Sequence, residues 1–189
     1  MFYKEFFKEV IKSINAVEHA KLDKMVDIIF ELRARSGRLF IIGSGGGAGN
    51  ASHAVCDFRK LCNVEAYAPY DNISELTART NDEGYGTSIK NWLEVSKFSC
   101  NDCLFVFSVG GGTETVSPNI VNALILANDI GANIIGIVSN NGGMTKKLAD
   151  VCLNIHSDEY FTPITEGLQC IIWHLLVSHP KLQINLTKW

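Results

Sequence analysis

An α/β fold, a doubly wound parallel sheet of five strands (flavodoxin-like) preceded by two N-terminal helices, is predicted by three observations. Short apolar runs recur without polar alternation, as in strands buried on both faces. Helical patterns fill the gaps between them, and two of the runs lead directly into glycine-rich loops. With 189 residues, 47% hydrophobic and 20% charged, the chain suits one packed core. We expect a single domain, with a helical pair over 1–36 and an α/β core over 37–189.

The opening stretch sets Phe6, Val10, Ile11 and Ile14, then Met25, Ile28, Ile29 and Leu32, at helical spacing, which predicts helices over 2–17 and 20–36, with Gly37 as the stop. Charges spread through both helices exclude a signal-peptide core and a membrane span, so a cytoplasmic protein is expected. Strands are predicted at 38–42, 64–68 (the weakest), 104–107, 134–138 and 153–155. Helices are predicted near 48–61, 72–80, 84–97, 118–130, 143–150 and 163–178. No linker, repeat or low-complexity tract divides the chain, and the helical pair is suited to cover the sheet or to pack between subunits.

A net charge of -3 with no basic stripe argues against a nucleic-acid partner. The six cysteines (Cys56, Cys62, Cys100, Cys103, Cys152 and Cys170) read as reduced thiols. Cys100 and Cys103 form a C-x-x-C that precedes a strand instead of opening a helix, which points to a structural role at the strand's start.

In an open α/β sheet, ligands bind beyond the carboxyl ends of strands, where strand order reverses. The loop "GSGGGAG" (43–49) and the loop "SVGGGTETVSPN" (108–119) both follow strands and, in a flavodoxin-like order, flank one crevice. Gly43, Gly45 and Ala48 fit a dinucleotide fingerprint, with Glu65 as the ribose partner. Against that reading, Glu65 begins a strand and the chain lacks room for a second mononucleotide half. In the second loop Ser108, Thr113, Thr115 and Ser117 offer hydroxyls, while Gly110, Gly111 and Gly112 let backbone amides approach an anion. Ser117 as N-cap and Pro118 at the first helical position aim a helix N-terminus at the loop, an arrangement that binds a monophosphate without lysine.

His53 and Asp57 are four apart and share a helix face. On the last helix Glu166 and His174 are eight apart, about 80° around the axis and roughly 12 Å along it, so their side chains can converge on a metal. Gln169, about 140° from His174, is the poorer candidate. The plainer alternatives are a surface ion pair for His53 and Asp57 and a core histidine at 174; His156 and His179 read as structural.

Taken together, "IIGSGGGAGNASHAVCDF", "ELTARTNDEGYG", "FSVGGGTETVSPNIVNAL", "IIGIVSNNGG" and "QCIIWHLL" resemble a SIS (sugar isomerase) domain of the phosphoheptose isomerase type, over nearly the whole chain. The resemblance implies a cytoplasmic homotetramer with active sites between subunits, converting sedoheptulose 7-phosphate into D-glycero-D-manno-heptose 7-phosphate for lipopolysaccharide or capsule. It also implies zinc, whose ligands in that family (His, Glu, Gln, His) fall on His53, Asp57, Glu166 and His174. Asp57 and Glu166 are substitutions, though both keep an oxygen donor. Ser44 stands where the family has Asn, Gly47 where it has Ser, and the second loop is longer. On this basis Asp57 is the expected base, with Glu166 as its substitute, and His174 the acid. Ser44, Gly45, Gly46 and Asp82 are expected at the sugar, and Ser108, Gly110, Gly111, Gly112, Thr113 and Ser117 at the phosphate. The rival reading is a non-catalytic, regulatory SIS protein that binds a phosphosugar; an amino-sugar isomerase is disfavoured because no glutaminase domain accompanies the chain.

Overall fold

Side chains along β1 (Leu39–Gly43) alternate between two separate cores: Leu39 and Ile41 enter one, Phe40 and Ile42 the other. The same division runs through β3 (Cys103–Phe107), where Cys103, Phe105 and Phe107 face the first core and Leu104 and Val106 the second. Continuous apolar runs are therefore required, because neither face meets water. In the computed structural model, which describes residues 1–186, β2 (Ala66–Tyr67), β4 (Asn133–Ser139) and β5 (Val151–Ile155) complete a five-stranded sheet. Every strand pairing is parallel and the order is β2-β1-β3-β4-β5, the flavodoxin-like order predicted. Strand order reverses between β1 and β3, so the loops that follow them open onto one crevice.

The first core lies under α2 (His19–Ala34), α3 (Gly46–Cys62) and α8 (Phe161–Ser178), the second under α5 (Ser88–Val95) and α6 (Pro118–Ile130). A short helix, α7 (Gly143–Leu148), joins β4 to β5. α1 (Phe2–Asn15) holds to the body through Phe6 and Val10 but leaves Phe2, Tyr3, Phe7 and Ile11 exposed. α4 (Ile73–Asp82) buries no residue.

Two predicted elements differ instructively. β2 shrinks to two residues, as expected of an edge strand with one partner. α3 begins at Gly46, so glycines read as loop form its first turn instead. At Gly47 the reason is contact: a Cβ there would sit 2.4 Å from the Phe107 carbonyl oxygen, and only glycine lets α3 come this close to β3.

The amino ends of β1 and β3 are clamped by one ion pair. Asp102, 2% exposed, accepts from the Arg38 guanidinium at 2.8 and 3.1 Å, from the Arg38 amide at 3.0 Å, and from the amide and hydroxyl of Ser99 at 2.8 and 3.1 Å. Cys103, immediately after Asp102, is fully buried, and burial pushes its thiol up, whereas Cys100 is exposed. The C-x-x-C is thus a strand start and not a reactive pair. Glu65 lies at this same end, its carbonyl accepting from Leu39 N, a full strand length from Gly43. That position removes the dinucleotide reading.

Candidate functional site

α3 and α8 run side by side in the same direction, their contacts climbing in step. Gly46 meets the Glu166 carboxylate, Asn50 reaches the Glu166 carbonyl and the Gln169 side chain, His53 meets Trp173 and His174, and Cys62 meets the Val177 carbonyl. The i, i+4 pair on α3 is thereby brought against the second half of α8. His53, Asp57 and His174 each offer a donor atom, and these atoms lie within 4.8 Å of one another. They line a cleft of about 440 Å³ together with Leu61, Val177, Ser178 and Gln183.

Within the cluster, His174 Nε2 stands 3.9 Å from Asp57 Oδ2. The other ring nitrogen, Nδ1, is 2.8 Å from the Cys170 carbonyl oxygen, to which it can only donate. That bond leaves the lone pair on Nε2, facing Asp57 and His53. The Trp173 indole stacks on the His174 ring and meets the His53 ring edge-on, with centroids 3.5 and 4.6 Å apart. Asp57 has 14% of its side chain exposed and His174 45%, so the cluster is reachable from solvent. Two imidazoles and one carboxylate match the three-ligand sets of catalytic zinc sites, which keep one position open.

Glu166 stands apart from this group. It lies about 12 Å along α8 from His174, and a Cβ on Gly46 would sit 2.4 Å from its Oε2. A carboxylate there faces the first turn of α3, the positive end of that helix's dipole. Beside it, Gly45 and Gly46 are exposed and half-buried Ser44 has its hydroxyl 3.5 Å from that of Tyr85. Asp82, the last residue of α4, is exposed and accepts from the Asn81 side chain at 2.6 Å.

The second loop is shaped by main-chain bonds. Ser108 is buried and its hydroxyl accepts from Gly111 N at 3.0 Å, keeping its own proton to donate. Met144 N and Thr145 N donate to the carbonyls of Gly112 and Gly111, both at 2.9 Å, and Ser139 N donates to that of Val109 at 2.8 Å. Gly111 adopts φ +73°, and a Cβ there would fall 1.8 Å from the Gly142 carbonyl oxygen, so this turn admits only glycine. Exposed Thr113 closes the outer turn, its hydroxyl accepting from Val116 N at 3.0 Å. Ser117 is the N-cap residue of α6, but at φ 57° its side chain makes no capping bond; a capping hydroxyl needs an extended backbone. Two places on, Asn119 is fully buried, and neither side-chain atom has a partner among the described residues.

Three contributors escape the sequence patterns. The Tyr70 hydroxyl bonds both the amide and the carbonyl of Gly43, fixing where β1 ends. Asn50 and Gln169 bond each other between α3 and α8. The available signal was a polar residue at an inward position of each helix.

The described residues contain no helix long and apolar enough to cross a membrane. A family model described as SIS domain matches residues 2–139, ending ahead of α8. The lincomycin biosynthesis protein LmbN of Streptomyces lincolnensis is 34% identical over 167 residues, covering 80% of this chain but only 59% of that protein. The phosphoheptose isomerase of Crocosphaera subtropica is 30% identical over 180 residues, 92% of this chain and 85% of the relative. Among solved structures, the phosphoheptose isomerase of Neisseria gonorrhoeae matches with a TM-score of 0.82 at 20% identity, covering 93% of this chain and 95% of that one.

Proposed function

Because this chain belongs to the SIS domain family and is an isomerase of the phosphoheptose isomerase type, we propose that it interconverts a ketose phosphate and its aldose isomer through an enediol. Sedoheptulose 7-phosphate and D-glycero-D-manno-heptose 7-phosphate are the proposed pair, in the supply of heptose for lipopolysaccharide or capsule. The carrying observation is the convergence of His53, Asp57 and His174 in an open cleft between α8 and α3, the helix that starts at the strand-order reversal.

The reaction moves a proton between C1 and C2, which needs a base facing both carbons and an acid at the oxygens. Asp57 is the proposed base and His174 the proposed acid, a role that requires a proton on Nε2 and so excludes ligating a metal at the same moment, while Nδ1 keeps its bond to the Cys170 carbonyl. A divalent ion, zinc by the donor set, held by His53, Asp57 and His174 would supply Lewis acidity at the carbonyl. Glu166, the remaining ligand in the family pattern, stands apart from the other three, and its carboxylate against Gly46 favours a second reading, in which it is the base and Asp57 stays a ligand. In either case Ser108, Thr113, Ser117 and the amides of Gly110 and Gly112 hold the phosphate, Gly111 instead shaping the turn because its amide is taken by the Ser108 hydroxyl, while Ser44, Gly45, Gly46 and Asp82 meet the sugar. We further propose one domain over 1–189, a homotetramer with shared active sites, and a cytoplasmic setting. The exposed apolar side chains of α1 and six free cysteines support the last two.

Incubation with sedoheptulose 7-phosphate, with and without chelator, tests the proposal. Aldose formation that stops on chelation and returns with zinc is the expected result. Conversion indifferent to chelator removes the metal from the mechanism. Tight binding without conversion of any ketose phosphate would leave the regulatory reading.

A further inference from the structure

Gln169 is fully buried on a face of α8 that is apolar apart from it and Thr165. An amide removed from water must find partners or cost a few kcal/mol, and here each end has one. Ile137 O is an acceptor only, so the Gln169 nitrogen turns to it, at 3.0 Å, and the Gln169 oxygen is left to accept from Asn50 Nδ2 at 3.4 Å. The Ile137 carbonyl also takes a bond from Ser108 N at 3.2 Å, at the first residue of the second glycine loop. Asn50, in turn, donates to the Glu166 carbonyl at 3.0 Å. One hydrogen-bonded path thus runs from α3 through α8 and β4 to the second loop.

This path connects regions that the functional reading above assigns to different jobs: the proton-transfer groups on α3 and α8, and the phosphate-holding loop after β3. Resting on that reading, we infer that Gln169 is a positioning residue that sets the spacing between the two halves of the site, and with it the length of sugar phosphate that spans them. Apolar packing cannot do this alone. The contacts of Leu168, Ile172 and Leu176 with the core are non-directional and change little if α8 slides a fraction of an ångström, whereas hydrogen bonds weaken steeply with distance and angle. The core holds the helix down, and Gln169 registers it along the sheet.

Gln169→Leu tests the inference cleanly, because no partner loses its last bond: Ile137 O keeps Ser108 N, and Asn50 keeps the Glu166 carbonyl. Gln169→Met serves if the leucine variant does not fold. The variant is expected to bind zinc and inorganic phosphate, each titrated alone, within about threefold of wild type, while kcat falls about 10- to 100-fold, as for displacements near 1 Å. The preference for sedoheptulose 7-phosphate over inorganic phosphate, measured by binding, is expected to shrink about tenfold in parallel. A variant that keeps wild-type kcat and preference overturns the inference alone. So does one that loses zinc or phosphate binding in step with kcat, since its role is then general folding. A wild-type protein with neither turnover nor preference overturns the functional reading and this inference together.

Discussion

At the amino ends of β1 and β3, the Asp102 carboxylate is surrounded by donors from Arg38 and Ser99, and the Arg38 guanidinium goes on to bond the carbonyls of Ser96 and Lys97. At the carboxyl ends of the same strands, Gly45, Gly46 and Gly110 are exposed and the buried Asn119 amide has no partner among the described residues, while further along α3 and α8 three donor groups face one another across a cleft. One sheet carries both, separated by five residues of strand. The contrast teaches a division of labour: valences are satisfied where the fold needs anchoring and left available at the end where a ligand is proposed. Substitutions at the two ends should therefore move different observables.

The largest effect is expected in the open cleft between α3 and α8. Asp57→Asn should lower kcat by roughly 1,000-fold, about 4 kcal/mol in the barrier, with the melting temperature nearly unchanged. Steady-state kinetics beside thermal unfolding check it, and Glu166→Gln run in parallel decides which carboxylate is the base. If neither loses turnover, the base assignment fails.

Next comes the amino end, with the opposite signature. Asp102→Ala leaves the Arg38 charge without its partner and should cost about 3 kcal/mol in urea unfolding, the low end for a buried pair because Arg38 is partly exposed. The variant's kcat below its melting transition should stay within about twofold of wild type, because Asp102 lies at the opposite end of the strands from the glycine loops. A tenfold fall in kcat would break the separation between the two ends.

The smallest effect sharpens the comparison through pH. Burial pushes the Asp102 carboxyl up, but the Arg38 guanidinium and the amides of Arg38 and Ser99 outweigh it and hold the group below the usual carboxylate range. A lowered folded-state value favours the ionised form in the native protein. The stability it contributes is fully present above the unfolded value near 3.9 and drains away as pH falls through the folded value. The stability gap between wild type and Asp102→Ala should hold from about pH 7 to 5 and narrow below about pH 4. A gap that stays constant with pH would show that Asp102 acts by shape and not by charge.

Much of the sheet was legible because β1, β3, β4 and β5 are buried on both faces, which forces continuous apolar runs. β2 read weakly because an edge strand of two residues has little to bury. The start of α3 lies earlier than the pattern predicts: glycine signals a turn locally, while Gly47 is demanded by the Phe107 carbonyl, distant in sequence. Spacing on α3 and α8 brought His53, Asp57 and His174 forward as candidates, but helical angles say nothing of the neighbouring helix, so Glu166 against Gly46 was not foreseeable. Gln169 shows the limit most plainly. The angle that turned it away from His174 also turned it toward the Ile137 carbonyl, a partner no spacing rule identifies.

The second glycine loop has a consequence for how this protein can change over generations. Its course is held by Ser139, Met144 and Thr145 amides on the carbonyls of Val109, Gly112 and Gly111, and by the Ser108 hydroxyl on Gly111 N. The exposed side chains of Glu114, Thr115 and Val116 take no part in those bonds. Drift at these three positions can change the face the loop presents to solvent while the loop keeps its path, so its surface is open to single mutations that do not first require the scaffold to be rebuilt.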